Sequence, residues 1–227
     1  MKRTVFVVDD HPIVREGLAQ MINRESDLTV CGEAQEMHGA LQMIEALKPD
    51  ILILDISLNG PDGLDLLKNI RARDPSLPVL ILSMHDESIY AERALRAGAN
   101  GYIMKQEATE KVLVALRRIL SREIYVSSRV ASKMLQQFVG ASSTSARHSP
   151  VDDLSDRELE VLRLMGDGHG TRQIAEELHL SVKTVESYQA HLKEKLSLKN
   201  LRELVQYAIQ WAITEKESGR PRVPIEC

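Results

Sequence analysis

The stretch Ile51-Leu52-Ile53-Leu54-Asp55 decides the fold class of this chain. Its four consecutive aliphatic residues predict a strand that is buried on both faces, as the strands of parallel sheets are. The residues that follow are rich in turn formers, so the strand is expected to end at Asp55. Ligands of parallel sheets lie at the carboxyl ends of the strands. A carboxylate at that point can be a metal ligand, a nucleophile or a cap for the turn.

Four more strand-like segments alternate with helical periodicity around this stretch. Each is a short apolar run, and the segments are residues 4–8, 28–34, 79–83 and 101–105. Apolar residues at helical spacing follow every one of the five segments. The alternation predicts an α/β domain over residues 1–122, in which helices cover both faces of a parallel sheet.

The composition excludes several classes of protein. The 227 residues fit one large or two small domains, and no apolar run reaches the roughly 18 residues that a membrane span needs. The N-terminus leads straight into a strand rather than into a signal peptide. Cys31 and Cys227 are too few for a disulfide framework, so a cytoplasmic location is expected. The net charge of −4 means that any nucleic-acid site must be a local feature.

Polar side chains stand at the predicted carboxyl ends of four strands: Asp9-Asp10, Asp55, Ser83 and Lys105. Taken singly, Asp10 can interact favourably with the positive N-terminus of the next helix, Ser83 can cap a helix and Lys105 can be a solvated charge. Together they should meet at one edge of the sheet, where three carboxylates repel one another unless a cation lies among them. Oxygen ligands suit Mg²⁺. A carboxylate beside a metal and a lysine is suited to receive a phosphoryl group.

Four segments resemble the receiver domain of response regulators, of the NarL/FixJ type in particular. They are VVDDHPIVREGL (7–18), LDISLNGPDGLDLL (54–67), ILSMHD (81–86) and GANGYIMK (98–105). The resemblance covers residues 3–122. It implies an α/β flavodoxin-like (βα)5 fold with the strand order 2-1-3-4-5.

The same resemblance implies the roles of the site residues. Asp55 would accept a phosphoryl group from a sensor histidine kinase, and Ser83 and Lys105 would contact that group. Mg²⁺ would be held by the side chains of Asp9, Asp10 and Asp55 and by the backbone carbonyl of Ser57.

Ser83 and Tyr102 would form the conformational switch, in which the aromatic ring rotates inward as the serine moves. No enzymatic activity is expected beyond acceptance of the phosphoryl group and its slow hydrolysis. The alternative is a phosphatase of the haloacid-dehalogenase kind, which also uses a strand-end aspartate as its nucleophile. Such enzymes normally carry a second Asp two residues further on, where this chain has Ser57.

The segment after this domain is predicted to be a linker over residues 123–150. Ser127 or Ser128 can cap a short helix. Residues 140–150 are rich in Ser and lack apolar periodicity, which is typical of a flexible connector. At the other end of the chain, residues 216–227 are predicted to be a disordered tail.

Residues 151–215 carry the pattern of an all-α domain of four helices. Ser155, Thr171 and Ser181 are candidates for helix caps, and Ser155 with Glu158 has the spacing of a capping box. A short helix, a tight turn and a longer helix form a helix-turn-helix candidate. The alternative is a plain four-helix bundle.

Local charge favours the helix-turn-helix. Residues 181–199 hold four lysines against two glutamates in a domain that is otherwise acidic. A helix with a positive end and short polar side chains can bind DNA phosphates and base edges. The candidate DNA contacts are Ser181, Lys183, Thr184, Ser187, Tyr188, His191, Lys193 and Lys195.

Two segments of this region resemble the LuxR-type helix-turn-helix of the same NarL/FixJ regulators. They are LSDRELEVLRLMGDG (154–168) and IAEELHLSVKTVESYQAHLKEKL (174–196). The resemblance implies that the last helix forms a dimer. The residues expected at that contact are Leu201, Leu204, Val205, Ala208 and Ile209, and burial within a single subunit is the alternative for them.

We therefore predict a DNA-binding transcription regulator of a two-component system. Phosphorylation of Asp55 would produce a homodimer that binds double-stranded DNA, with RNA polymerase as a further partner and no membrane partner. A third hypothesis is an interaction module that has lost its DNA contacts, which Glu186 and the acidic charge of the domain motivate.

Overall fold

The chain forms two compact units, Met1–Thr144 and Ser145–Cys227. The computed structural model describes residues 2–56, 63–140 and 150–218. Within those ranges no helix is both long and apolar enough to cross a membrane.

The N-terminal unit is built on a five-stranded parallel sheet. Its strands are β1 (Arg3–Val8), β2 (Leu28–Ala34), β3 (Ile51–Leu54), β4 (Val79–Ser83) and β5 (Gly101–Met104). Their order across the sheet is β2-β1-β3-β4-β5, which confirms the predicted order. The strand that decided the fold class, β3, lies between β1 and β4 at the centre.

Helices cover both faces of this sheet because its strands are apolar on both sides. They are α1 (Pro12–Asn23), α2 (Met37–Leu47), α3 (Gly63–Arg73), α4 (Glu87–Arg96) and α5 (Ala108–Leu120). Every residue of β3 and β4 is buried. On one face Ile53 and Leu82 belong to a single apolar cluster with Leu18 of α1 and Leu116 of α5. Burial of these side chains is the main source of stability for the sheet.

The N-cap of α4 is not Ser83, which was one of the roles considered for this residue. The helix is capped by Asp86, whose carboxylate accepts a hydrogen bond from the backbone N–H of Ser88 at 2.8 Å. The hydroxyl of Ser83 instead accepts a bond from the backbone N–H of His85 at 3.1 Å. Ser83 therefore does not cap α4. Its side chain is fully buried at the end of β4.

The segment predicted to begin the linker is attached to the edge of the sheet. Tyr125 forms a parallel bridge with Gly101 of β5. Its N–H donates to the carbonyl of Asn100, and its carbonyl accepts from the N–H of Tyr102, both at 2.9 Å. The beginning of this segment is therefore structurally part of the N-terminal unit.

A sixth helix, α6 (Ser128–Gly140), follows and packs on α4. Ser127 caps it by accepting a hydrogen bond from the N–H of Val130 at 3.2 Å. The same hydroxyl donates to the buried carboxylate of Glu87 at 2.6 Å and so ties the start of α6 to α4. The rest of the predicted linker, residues 141–149, lies outside the described residues.

The C-terminal unit has the predicted four helices. A 3₁₀ turn at Pro150–Asp153 precedes α7 (Asp156–Gly166), α8 (Thr171–Glu177), α9 (Val182–Lys195) and α10 (Leu201–Ser218). α7 packs on α9 and α10, and α8 packs on α9. α10 continues three residues into the segment predicted as a disordered tail, and the chain beyond Ser218 lies outside the described residues.

In the C-terminal unit, two of the three predicted helix caps are confirmed. Ser155 and Glu158 form the capping box at α7, and Ser181 caps α9 by accepting a bond from the N–H of Thr184 at 3.0 Å. The predicted cap at Thr171 is wrong. Gly170 is the N-cap of α8, and its N–H donates to the side chain of Gln173 at 2.9 Å.

Gly166 generates a prediction about the contact between α7 and α10. A methyl group at this position would lie 2.6 Å from the carbonyl oxygen of Ala208 and 2.9 Å from the Cβ of Ala212. We expect Gly166→Ala to destabilise the C-terminal unit by about 1–3 kcal/mol, because the two helices must move apart. The measurement is denaturant unfolding followed by the fluorescence of Trp211, the single tryptophan, which lies on α10.

The matched control for this substitution is Gly17→Ala on α1, where nothing lies within 4 Å of the added methyl group. It should leave the Trp211 transition in place and stabilise the N-terminal unit by roughly 0.5–1 kcal/mol through helix propensity. An unchanged Trp211 transition in Gly166→Ala would contradict the close packing of the two helices.

Candidate functional site

The sheet topology brings the polar strand ends together. Asp9 and Asp55 follow directly after the paired residues Val8 and Leu54, and the N–H of Asp55 donates to the carbonyl of Val8 at 2.8 Å. Lys105 follows β5, whose last residue pairs with Ser83 of β4. Residues that are far apart in the sequence thus share one edge of the sheet.

Lys105 lies between two buried carboxylates. Its Nζ atom is 2.7 Å from Oδ2 of Asp9 and 2.8 Å from Oδ2 of Asp55. The three side chains are 7%, 2% and 0% exposed, in that order. Burial alone would lower the pKa of Lys105, but the charges of Asp55 and Asp9 outweigh this effect and raise the pKa above its ordinary value. The lysine is therefore protonated and neutralises part of the acidic charge.

The turn after β1 adds Asp10 and His11 to this group. One ligand atom from each of Asp9, Asp10, His11 and Asp55 lies within 4.8 Å of all the others. The carbonyl of Asp9 accepts a bond from the guanidinium of Arg15 at 2.6 Å, which fixes the turn against α1. Within the described ranges, the buried Oδ1 of Asp10 accepts no hydrogen bond. Carboxylate oxygens grouped in this way fit a hard divalent cation such as Mg²⁺.

The proposed switch residues lie next to this acidic pocket. The hydroxyl of Tyr102 donates to the carbonyl of His85 at 2.9 Å, and its ring is buried inside the unit. Burial raises the pKa of Tyr102, so the hydroxyl stays a hydrogen-bond donor at neutral pH. Since the N–H of His85 donates to Ser83, this one residue connects both switch side chains. Ser57 lies outside the described residues.

In the C-terminal unit, α9 presents a polar face opposite its buried side. Val185, Gln189 and Leu192 face the interior. The candidate DNA contacts divide into two groups by exposure. Lys183, Ser187 and His191 are exposed on this face, as is the capping residue Ser181, whereas Thr184, Tyr188 and Lys193 are half-buried.

Lys195 forms an ion pair within the C-terminal unit. Its Nζ atom is 2.7 Å from Oε2 of the buried Glu158 on α7. Burial alone would raise the pKa of Glu158, but hydrogen bonds from Lys195 and from Ser155 outweigh it and keep the pKa below its ordinary value. The pair links α9 to α7, so Lys195 has a structural partner that its place in the sequence did not indicate.

The five residues predicted for dimerisation lie on two sides of α10. Leu204 and Ala208 are completely buried within the unit. Leu201, Val205 and Ile209 are 46%, 36% and 41% exposed and repeat every four residues. Of the five predicted residues, these three can offer an apolar surface to a second subunit.

Comparisons with known proteins agree with this arrangement. Residues 5–117 match the family of response regulator receiver domains, and residues 152–208 match the luxR family of bacterial regulatory proteins. The oxygen regulatory protein NreC of Staphylococcus aureus is 37% identical over 214 residues, which cover 93% of this chain and 99% of NreC. The chain belongs to the two-component response regulators.

Solved structures of other response regulators have the same fold. RcsB from Salmonella enterica serovar Typhimurium, bound to a promoter in the presence of the phosphate mimic BeF₃⁻, matches with a TM-score of 0.58 at 27% identity. That match covers 92% of this chain and 99% of the RcsB chain. A LuxR-family response regulator from Aurantimonas matches with a TM-score of 0.57 at 33% identity, covering 61% of this chain and 99% of its own. The family favours a transcription regulator over the haloacid-dehalogenase alternative.

The buried charges of this response regulator generate a prediction about stability. Lys105→Met should destabilise the N-terminal unit by about 3–5 kcal/mol when metal is removed with EDTA, because Asp9 and Asp55 lose their buried partner. Unfolding is measured by far-ultraviolet circular dichroism against denaturant concentration. Lys111→Met removes the same charge from a partly exposed pair with Glu107 and should change stability by less than about 1 kcal/mol. Equal effects of the two substitutions would contradict the buried ion pairs.

Proposed function

We propose that Asp55 is the phosphoacceptor and that its phosphorylation by a sensor histidine kinase controls DNA binding by the C-terminal unit. The observation that carries this proposal is the convergence of Asp9, Asp55 and Lys105, with the lysine within 2.8 Å of both carboxylates. Transfer would break the P–N bond of a phosphohistidine on the kinase and form a P–O bond to Asp55. Such a reaction depends mostly on positioning and on neutralisation of charge.

The chain provides the groups for that neutralisation. Asp9, Asp10 and Asp55 would hold Mg²⁺, together with the backbone carbonyl of Ser57. Bound Mg²⁺ supplies positive charge to the phosphoryl oxygens. Lys105 supplies a second positive charge at the same place, because its ammonium already lies against Asp55. No other chemical activity is proposed for the chain.

In the proposed switch, Ser83 would be the side chain that contacts the phosphoryl group. In this structure its hydroxyl accepts a hydrogen bond from the N–H of His85. If Ser83 turned toward a phosphoryl group on Asp55, that bond would be lost. The carbonyl of His85 also holds the hydroxyl of Tyr102, so the loop between β4 and α4 would rearrange with the serine.

For DNA binding we propose that the exposed face of α9 enters the major groove. Lys183, Ser187 and His191 are its polar side chains of suitable reach. Ser181 would contribute through the N-terminus of the helix that it caps, where backbone N–H groups favour phosphate. Thr184, Tyr188 and Lys193 would contact DNA from the rim, and Lys195 mainly holds α9 in place.

A homodimer would form through Leu201, Val205 and Ile209 on α10. A solved structure of RcsB, described as two dimers bound to two parallel DNAs, supports the proposal that this chain also forms a dimer and binds DNA. The RcsB chain in them matches with a TM-score of 0.56 at 27% identity and covers 94% of this chain. Contact with RNA polymerase stays a prediction.

Asp55→Asn tests the phosphoacceptor. The variant should lose Mg²⁺-dependent labelling by a small phosphodonor such as labelled acetyl phosphate, because the amide cannot form the acyl phosphate. Asp74→Asn is the matched control, since Asp74 is an exposed turn residue after α3 and should label like the wild type. Label that persists on Asp55→Asn would place the acceptor on another residue.

Lys183→Ala and Lys195→Ala test the two roles assigned to lysines of α9. On mixed-sequence duplex DNA, with Asp55 phosphorylated, Lys183→Ala should weaken binding and reduce the salt slope of log K by about 1, as loss of one phosphate contact does. Lys195→Ala should keep the slope and instead lower the denaturant midpoint of Trp211 fluorescence, because the buried Glu158 loses its partner. Equal loss of slope in both variants would make Lys195 a DNA contact. No binding of the wild type at low salt would favour the interaction module.

A further inference from the structure

Glu186 lies on the face of α9 that carries candidate DNA contacts, although it is not one of them. The exposed residues of this face are Lys183, Glu186, Ser187, Ala190 and His191. Their spacing of three and four residues makes them one stripe along the helix. With α9 in the major groove, as proposed, the carboxylate of Glu186 would face the DNA.

This carboxylate has no partner among the residues that the structure describes. Neither a hydrogen bond nor an ion pair is formed by it there. Lys183 lies three residues earlier, a spacing at which glutamate and lysine often pair, yet these two do not. Glu158 on α7, by contrast, is paired with Lys195 at 2.7 Å. The oxygen atoms of Glu186 are therefore available to a ligand.

An unpaired carboxylate on a surface that binds DNA is unfavourable in two ways. It repels the phosphates that lie within about 10 Å. It also loses water when the helix enters the groove, and a polar group that loses water without gaining a partner destabilises the complex. An ionised carboxylate can only accept hydrogen bonds. Glu186 is therefore compatible with tight binding only at a DNA sequence that supplies a donor.

The major groove offers two such donors, the amino groups at N4 of cytosine and at N6 of adenine. The adenine group lies between two acceptors, N7 of the same base and O4 of the paired thymine, and both repel a carboxylate. The cytosine group has an acceptor on one side only, O6 of the paired guanine. Cytosine is therefore the base that fits the carboxylate of Glu186.

We infer that Glu186 is a specificity-determining residue, whose carboxylate accepts a hydrogen bond from N4 of a cytosine in the bound DNA. This inference rests on the proposed placement of α9 in the major groove. The neighbouring side chains do not compete for this role. The hydroxyl of Ser187 donates to the backbone carbonyl of Lys183 at 3.0 Å, and Ala190 has no polar group. Lys183 would bind a phosphate, a contact that carries no sequence information.

The test is selection of bound sequences from a random duplex library by the full-length protein, treated with acetyl phosphate and Mg²⁺. One position in the sites selected by the wild type should be cytosine, preferred by roughly 5- to 100-fold, as one base contact allows. Glu186→Ala should lose this preference and bind mixed-sequence duplexes more tightly, because a charge that repels phosphates is gone. Glu186→Gln should change the preference at that position to adenine, since a glutamine amide pairs with N6 and N7 of adenine.

N4-methylcytosine tests the hydrogen bond at a single atom. When this base pairs with guanine, its methyl group replaces the hydrogen that points into the major groove. At the selected position it should weaken binding by the wild type as much as loss of the cytosine does, and it should not affect Glu186→Ala. Glu194→Gln is the matched control. It removes the charge of another exposed glutamate near the end of α9, beyond the N-terminal residues that contact bases, and should select the wild-type sequence.

Two results would overturn the inference while leaving the proposed DNA binding in place. One is an unchanged cytosine preference in Glu186→Ala, and the other is equal binding of cytosine and N4-methylcytosine duplexes by the wild type. If the wild type selects no sequence and Lys183→Ala binds DNA as the wild type does, the proposed placement of α9 fails together with the inference. The denaturant midpoint of Trp211 fluorescence should be the same in the Glu186 variants, because this side chain is exposed, and it reports that they are folded.

Discussion

The acidic pocket at the edge of the sheet depends on one ammonium group placed between two buried carboxylates. Asp9 and Asp55 end neighbouring strands, and without Lys105 their charges would repel each other in a region from which water is excluded. The sheet order explains how three side chains so distant in sequence meet, because β1, β3 and β5 all end at the same edge. A phosphoryl group on Asp55, as proposed, would change this balance of charge, so the groups that stabilise the resting protein would also be those that respond to phosphorylation.

β5 would carry that response toward the C-terminal side of the unit. Lys105 follows its last residue, and Tyr102 lies within it. The hydroxyl of Tyr102 holds the loop before α4, while its backbone N–H holds Tyr125, just before α6. Ser127 fixes the start of α6 to Glu87 of α4. Under the proposed switch, a movement of the β4–α4 loop would reach the first turn of α6 through these hydrogen bonds.

The parts that were predictable from the sequence are those that depend on local pattern or on topology. The apolar runs of β3 and β4 indicated a sheet buried on both faces, and parallel pairing then placed Asp55 and Lys105 at one edge. Two helix caps were predicted wrongly because a nearby residue occupies the capping position. Asp86 caps α4 in place of Ser83, and Gly170 caps α8 in place of Thr171. The pairing of Lys195 with Glu158 and the position of His11 were missed because each depends on how two elements approach in three dimensions. In the sequence, Lys195 looks like every other lysine of α9.

The acidic charge of the C-terminal region is compatible with DNA binding once the location of each charge is considered. Glu158 and Glu160 are buried and paired with Lys195 and Arg157, so these charges offer little field to a ligand. Phosphates respond to charges within about 10 Å, because salt screens the more distant ones. At the exposed start of α9 they would meet Lys183 together with the positive end of the helix dipole. The net charge of the region raised doubt about DNA binding. It adds the buried, paired glutamates to the exposed charges of α9, so it does not describe the field at the surface where DNA would bind.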